Sequence, residues 1–235
     1  MSAAPTIFWF RRDLRRADHP ALAAAARAGS GRVLGAFVVD DVFAAPAGPT
    51  RAAFLTSSLR ALDDDIAGSL VVRTGDPAPV LAGLAAECGA REVFATADFA
   101  PAGRRRDERV ARSLAEGGVA LRLIDSPYVV APGSLTTRGG APWRVFGAYR
   151  GRWEPLAVPA TTPAPDVEWV GAASEGPAAL MARAARRRPW YFGTLPDDPP
   201  SALLPAGEAP ARALLAAHAR RVDAYDLERN VPALD

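Results

Sequence analysis

The sequence contains no lysine, so all 28 of its basic residues are arginine. A phosphate-binding loop of the Gly-x-x-x-x-Gly-Lys type is therefore excluded, and no Gly-x-Gly-x-x-Gly motif follows the first apolar segment. Both absences disfavour a P-loop enzyme and a dinucleotide-dependent dehydrogenase. Together with abundant alanine, the exclusive use of arginine is typical of a GC-rich genome.

Cysteine is also scarce. The lone Cys88 cannot form an internal disulfide, and no cysteine and histidine spacing is typical of a metal site. A formal net charge of +2 is too small to indicate nucleic-acid binding by itself. The first apolar run, 7–10, is too short for a signal peptide, and no later run has the length of a membrane span. We expect a cytoplasmic protein.

Short apolar segments alternate with alanine-rich or amphipathic segments through the first 125 residues. The predicted strands are 7–10, 33–39, 70–73, 92–95 and 121–124, and the predicted helices are 20–29, 51–66, 77–90 and 102–117. Continuously apolar strands separated by helices are typical of a parallel sheet covered on both faces. The pattern predicts a doubly wound, Rossmann-like α/β fold with five parallel strands in the order 3-2-1-4-5.

The composition changes after Pro155, where proline becomes frequent and periodicity is lost. A final amphipathic helix is predicted over 208–225, with Leu214, Leu215 and Val222 on one face. We divide the chain into an α/β domain over residues 1–130, an interdomain linker over 131–206 and the start of an incomplete α-helical domain over 207–235. The apolar face of the last helix is expected to lack a packing partner in this chain.

Polar residues follow the predicted strands, at the sheet edge where doubly wound folds bind ligands. They are Arg11, Arg12, Asp13, Asp40, Asp41, Gly75, Asp76, Asp98 and Asp125. For Asp76 and Asp125, capping of the next helix is the simpler interpretation. For Arg12 and Asp98, a functional role and a structural ion pair at the sheet edge both remain open.

Other charged or titratable residues give weaker indications. The run from Arg104 to Arg109 mixes both signs at helical spacing, which favours a solvated helix face over a nucleic-acid patch. His19 and His218 have no carboxylate or nucleophile partner evident in the sequence, and neither is expected to be catalytic.

Several segments resemble the photolyase and cryptochrome family. They are Ile7-Phe8-Trp9-Phe10-Arg11-Arg12-Asp13-Leu14-Arg15 with Asp18-His19-Pro20-Ala21-Leu22, Gly35–Asp40, Arg51 with Phe54-Leu55, Gly75-Asp76-Pro77, Asp98-Phe99-Ala100-Pro101 with Arg104, Arg106 and Asp107, Val145-Phe146 with Tyr149 and Trp153, and Tyr225–Ala233. The resemblance covers nearly the whole chain except the linker.

The resemblance implies the N-terminal portion of a light-driven lyase that splits cyclobutane pyrimidine dimers in DNA with reduced FAD and an antenna chromophore. It implies that Tyr225 contacts FAD and that Arg229 contacts DNA. It also implies that an antenna chromophore is bound by Arg12, Phe37, Arg51 and Asp98. Ala100 departs from the polar residue common in the family, which favours an 8-hydroxy-deazaflavin over methenyltetrahydrofolate.

Two alternatives remain open: a cryptochrome-type blue-light signalling flavoprotein and a stand-alone nucleotide-binding α/β module. The family's flavin-phosphate loop would follow Asp235, so we expect this chain alone to be inactive and to bind FAD weakly. We expect it to be a monomer.

Overall fold

A parallel β-sheet lies at the centre of the protein. A computed structural model describes residues 4–40, 42, 49–124, 128–178, 204–220 and 222–225. The five main strands are β1 (Thr6–Phe10), β2 (Arg32–Val39), β3 (Val71–Thr74), β4 (Glu92–Thr96) and β5 (Ala120–Ile124). Their order is β3-β2-β1-β4-β5, which confirms the predicted 3-2-1-4-5 arrangement and places β1 at the centre of the sheet.

Four helices connect these strands, and each begins at a proline. They are α1 (Pro20–Ala28), α2 (Pro49–Asp65), α3 (Pro77–Cys88) and α4 (Pro101–Glu116). Proline suits the first turn of a helix, where its missing N–H would have no intrahelical acceptor. The Asp76 side chain accepts a hydrogen bond from the Ala78 N–H at 3.1 Å, which confirms the capping interpretation of this residue. Asp41 and Asp125 lie outside the described residues.

The core consists of two layers, one on each face of the sheet. Alternate residues of β1 point to opposite faces. Phe8 and Phe10 pack in one layer with side chains of α1 and α2, whereas Ile7 and Trp9 pack in the other with side chains of α3 and α4. Because β1 is buried on both faces, its sequence is continuously apolar, as the strand prediction assumed.

The proline-rich segment contributes to the sheet, which the sequence did not predict. A short strand, β6 (Glu168–Trp169), pairs in parallel with the start of β2, on the edge where β3 pairs with the end of β2. Further along, the Glu175 N–H donates to the Val72 carbonyl at 2.8 Å, and the Val72 N–H donates to the Ser174 hydroxyl at 2.9 Å. We call residues 168–175 the edge strap, because they run along two strands of this edge.

Two helices lie outside the sheet layers. Helix α5 (Phe146–Trp153) has no buried side chain. Helix α6 (Glu208–Ala219) ends earlier than the predicted 208–225, and a 3₁₀ turn, Val222–Ala224, follows. Leu214 and Leu215 are 43% and 67% exposed, as expected for a helix face with no packing partner in the part of the chain that the structure describes. The proposed domain boundaries stay predictions.

No helix among the described residues has both the length and the apolar character needed to cross a bilayer.

Candidate functional site

An open cavity of about 210 Å³ lies at the carboxyl ends of β1 and β2. The end of β1 and the loop after it contribute Trp9 to Arg12, and the end of β2 contributes Phe37 to Asp40. Helices α2 and α4 complete the wall with Arg51 and Arg106. This is the sheet edge at which doubly wound folds bind ligands.

Three of the four residues predicted to hold an antenna chromophore meet at this cavity. Arg12, Phe37 and Arg51 line it, although they are distant in sequence. Asp98 does not line it: this residue lies in a smaller neighbouring cavity, and its carboxylate is 3.2 Å from the Arg12 guanidinium. The structural ion pair left open by the sequence is therefore present. It is compatible with a binding role for Arg12, whose side chain remains 62% exposed.

A buried charge network supports the cavity wall from behind. The Asp107 carboxylate, 4% exposed, accepts hydrogen bonds from Arg11 at 2.6 Å and from Arg106 at 3.0 and 3.1 Å. Arg11 also donates to the carbonyl of Thr96, and Arg106 lies 3.4 Å from Asp98. Two carboxylates and three arginines, counting Arg12, thus form one connected network.

The interpretation of 104–109 as a solvated face was wrong for Arg106 and Asp107, which are 8% and 3% exposed. Their neighbours Arg104, Arg105 and Glu108 are exposed as predicted. The inward face of α4 repeats every three to four residues, and Arg106 and Asp107 fall on it. The sequence did not reveal this buried face, because charged residues are normally exposed. Here Arg106 and Asp107 can be buried because they form an ion pair with each other.

Trp9 joins the charge network to the cavity. Its ring centroid lies 4.7 Å from the guanidinium carbon of Arg11 and 5.0 Å from that of Arg106, distances typical of cation–π contacts. Burial lowers the pKa of Arg11, which the charge of Asp107 partly offsets, and an arginine in this setting stays protonated. This part of the wall thus combines an aromatic ring with two adjacent positive charges.

His19 has a carboxylate partner that the sequence did not reveal. Its side chain is 1% exposed, its Nε2 atom lies 3.2 Å from the Asp13 carboxylate, and its ring meets Phe8 edge-on at 4.9 Å. Burial raises the pKa of Asp13, but its interactions with His19 and with the Thr96 hydroxyl outweigh burial and lower the pKa below its usual value. This contact fixes the loop between β1 and α1, and no local sequence pattern indicates it.

The cavity wall has an excess of positive charge. Arg11, Arg12 and Arg106 are paired with buried carboxylates, whereas no carboxylate pairs with Arg51 in the described part of the chain. Asp40 is the acidic residue of the wall, and its carboxylate accepts a hydrogen bond from the Val42 N–H at 2.9 Å. A planar ligand with electron-rich or anionic oxygens would complement this charge.

The remaining predicted site residues lie far along the chain. Tyr225 is 50% exposed, and its ring lies 6.4 Å from the His218 ring in an edge-on arrangement. Arg229 lies outside the described residues.

Comparison with known proteins gives consistent matches. The DNA photolyase family model matches residues 6–166. A deoxyribodipyrimidine photo-lyase of Halobacterium salinarum is 32% identical over 233 residues, covering 94% of this chain and 47% of that protein. Cryptochrome-1 of Arabidopsis thaliana is 31% identical over 157 residues, covering 65% of this chain and 23% of that protein.

A solved structure matches over the full length of the chain. It is the crystal structure of a bacterial class III photolyase from Agrobacterium tumefaciens, with a TM-score of 0.80 and 26% identity, covering 100% of this chain and 48% of that one. The chain spans about half the length of the photolyases that it matches.

Proposed function

This chain belongs to the DNA photolyase family, and we propose that its cavity at the ends of β1 and β2 binds an antenna chromophore. The observation that carries the proposal is the convergence of Arg12, Phe37 and Arg51 on one cavity. In this role the domain holds a light-absorbing group at a fixed place, and the excitation passes to a flavin bound by the same protein.

We propose an 8-hydroxy-deazaflavin as the chromophore, in preference to methenyltetrahydrofolate. Arg12 and Arg51 offer planar N–H donors to ring carbonyl or phenolate oxygens. Phe37 and Trp9 offer apolar ring surface to a planar heterocycle. Asp98 contributes by holding the Arg12 guanidinium, because its carboxylate faces that side chain and does not line the cavity.

For the whole protein, we propose a light-driven lyase that splits cyclobutane pyrimidine dimers in DNA. Tyr225 would contribute an aromatic contact to FAD, and Arg229 would contact DNA. When bound, reduced FAD supplies the electron that opens the dimer, and the protein supplies orientation and electrostatics. Residues 131–206 would link the α/β domain to a helical flavin domain that starts near residue 207. We propose that the protein acts as a monomer.

Chromophore titration tests the antenna site. We expect 8-hydroxy-deazaflavin to bind more tightly than methenyltetrahydrofolate, as measured by fluorescence. Arg51→Ala should weaken deazaflavin binding about tenfold or more, because it removes the wall's charged donor that has no carboxylate partner in the described chain. Arg60→Ala is the matched control, since Arg60 is an exposed arginine of the same helix outside the cavity wall. Tighter folate binding, or equal effects of the two substitutions, would contradict the assignment.

The similarity to a plant cryptochrome favours a second candidate, a blue-light signalling flavoprotein. Light-dependent repair of dimer-containing DNA by the native gene product distinguishes the two. Repair under blue light would support the lyase. A protein that retains flavin and undergoes photoreduction without repair would support the signalling function.

A further inference from the structure

The loop between β1 and α1 is attached to three distant parts of the chain. Asp18 exchanges hydrogen bonds with Thr162, its N–H donating to the Thr162 carbonyl at 2.6 Å and its carboxylate accepting from the Thr162 N–H at 3.1 Å. Arg16 donates to the carbonyl of Asp65 in α2 at 2.9 Å. The third attachment comes from Glu208, at the start of α6.

Glu208 binds the loop through backbone amides. One of its carboxylate oxygens accepts from the Arg16 N–H at 2.7 Å and from the Ala17 N–H at 3.5 Å. The other oxygen accepts from Arg212, one helical turn later, at 2.5 Å. The Glu208 side chain is only 16% exposed, whereas that of Arg212 is 62% exposed. Glu208 is therefore enclosed between the loop and its own helix, and bonds to an ionised acceptor are the stronger kind.

Gly207 makes this close approach possible. Its φ of +113° lies in a region that side-chain-bearing residues rarely adopt. A Cβ added there would lie 2.9 Å from the Ala61 Cβ in α2, so any larger residue would push the start of α6 away from the α/β domain. The two consecutive residues thus fix both the direction and the position of α6.

The loop that receives Glu208 also forms part of the cavity. Arg11 and Arg12 stand at its start and line the cavity wall. Asp13, four residues before Ala17, is held by His19 and by the Thr96 hydroxyl. The loop therefore connects the cavity wall to the first turn of α6 through contacts at both of its ends.

We propose that Glu208, with Gly207, is a positioning residue that sets the place of α6 and Tyr225 relative to the cavity. The inference rests on the proposed function, in which the cavity holds the antenna and Tyr225 contacts the flavin. Transfer of excitation between two chromophores depends steeply on their separation and orientation. Glu208 holds α6, which leads to the residue proposed to contact the flavin, against the loop that forms the wall of the antenna cavity. It would therefore influence the yield of excitation transfer without touching either chromophore.

A distance measurement tests the positioning directly. Spin labels are placed at Ala217→Cys on α6 and Arg112→Cys on α4, both exposed positions, in a Cys88→Ser background. We expect a narrow distance distribution with Glu208 intact and a broad one with Glu208→Ala. Glu208→Gln, which keeps an acceptor oxygen, should fall between them. Amide hydrogen exchange in α6 should rise about tenfold or more in Glu208→Ala.

Two controls separate docking from helix stability. Arg212→Ala removes the ion pair within α6 and leaves the bonds to the loop, and Glu154→Ala removes an exposed ion pair at the end of α5. Both should keep the narrow distribution. The proposal is overturned if Glu208→Ala stays as narrow as the parent protein, or if Arg212→Ala broadens the distribution equally.

Loading the native protein with both chromophores tests the functional consequence. Glu208→Ala should lower the yield of excitation transfer at unchanged occupancy of both sites, and an unchanged yield would overturn the proposal. Failure of the parent protein to bind any antenna chromophore would instead contradict the proposed function. The distance measurement does not depend on that result.

Discussion

Removing the Asp107 carboxylate should be among the most damaging single changes in the α/β domain. Asp107 forms ion pairs with both Arg11 and Arg106, and all three side chains are at most 10% exposed. Asp107→Ala would leave two guanidinium groups without this partner beside the Trp9 ring. Breaking a buried ion pair by removing one partner destabilises a protein by about 3–5 kcal/mol.

Two remaining contacts reduce the expected loss. Arg106 keeps Asp98 at 3.4 Å, and Arg11 keeps the Thr96 carbonyl. We therefore expect the lower end of the range, about 3 kcal/mol. Urea unfolding followed by circular dichroism measures this free energy. With a slope of about 2 kcal/mol per M, the unfolding midpoint should fall by about 1.5 M.

Neighbouring positions on α4 provide the comparison. Glu108→Ala removes an exposed carboxylate from the adjacent residue and should change the free energy of unfolding by less than about 0.5 kcal/mol. Asp107→Asn keeps an acceptor oxygen but not the charge, so it should lie between the two. A loss below about 1 kcal/mol for Asp107→Ala would show that the network contributes little, and the reasoning from burial would be refuted.

Three further predictions concern other parts of the chain. The lowered pKa of Asp13 stabilises the folded state above the unfolded pKa of about 4, and this contribution is lost as pH falls through the lower folded pKa. Asp13→Asn should therefore make the free energy of unfolding, measured in urea at several pH values, fall less steeply at acidic pH. An unchanged dependence on pH would contradict this prediction. Gly35→Ala places a Cβ 3.1 Å from the Trp169 ring and should destabilise the folded state by about 1–3 kcal/mol. Gly83→Ala in α3 places its Cβ in open space and should be neutral or stabilising. Equal changes of melting temperature in the two variants would refute the packing argument. Leu215→Ser on α6 should leave the urea unfolding midpoint nearly unchanged, because this side chain is 67% exposed; a lower midpoint would show that it packs in the folded chain.

The sequence predicted the central sheet well for a physical reason. Strands buried on both faces, such as β1, are continuously apolar, and the predicted ends of all five main strands agree with the structure to within one residue. The strand β6 was missed because two residues in a proline-rich segment show no periodicity. Its formation depends on an exposed edge of β2 that only the folded sheet presents.

The sequence predicted those residues of the candidate site that lie at strand ends, because the strand order determines their position. It did not predict the contacts between side chains that are distant in the sequence. Arg12 and Phe37 come from the strand ends that the sheet order brings together. Asp98 follows a strand end too, but Arg12 and Arg106 hold its carboxylate outside the cavity. The burial of Asp107 depends on how α4 packs on the sheet, and the His19 contact depends on how the loop between β1 and α1 packs there. Neither can be predicted from the neighbouring residues in the sequence.

The edge strap has a consequence for how the chain folds and how it fails. It pairs with residues more than 100 positions earlier, so we expect it to join the sheet only after β2 and β3 have formed. Until then, the unpaired N–H and C=O groups along that edge are a template for a strand from another molecule. A proteolytic cut between α5 and β6 would weaken the covalent attachment of the edge strap to the sheet. The unpaired N–H and C=O groups of that sheet edge would then be exposed again. We expect such a cleaved chain to aggregate although its five main strands, its helices and its cavity remain folded.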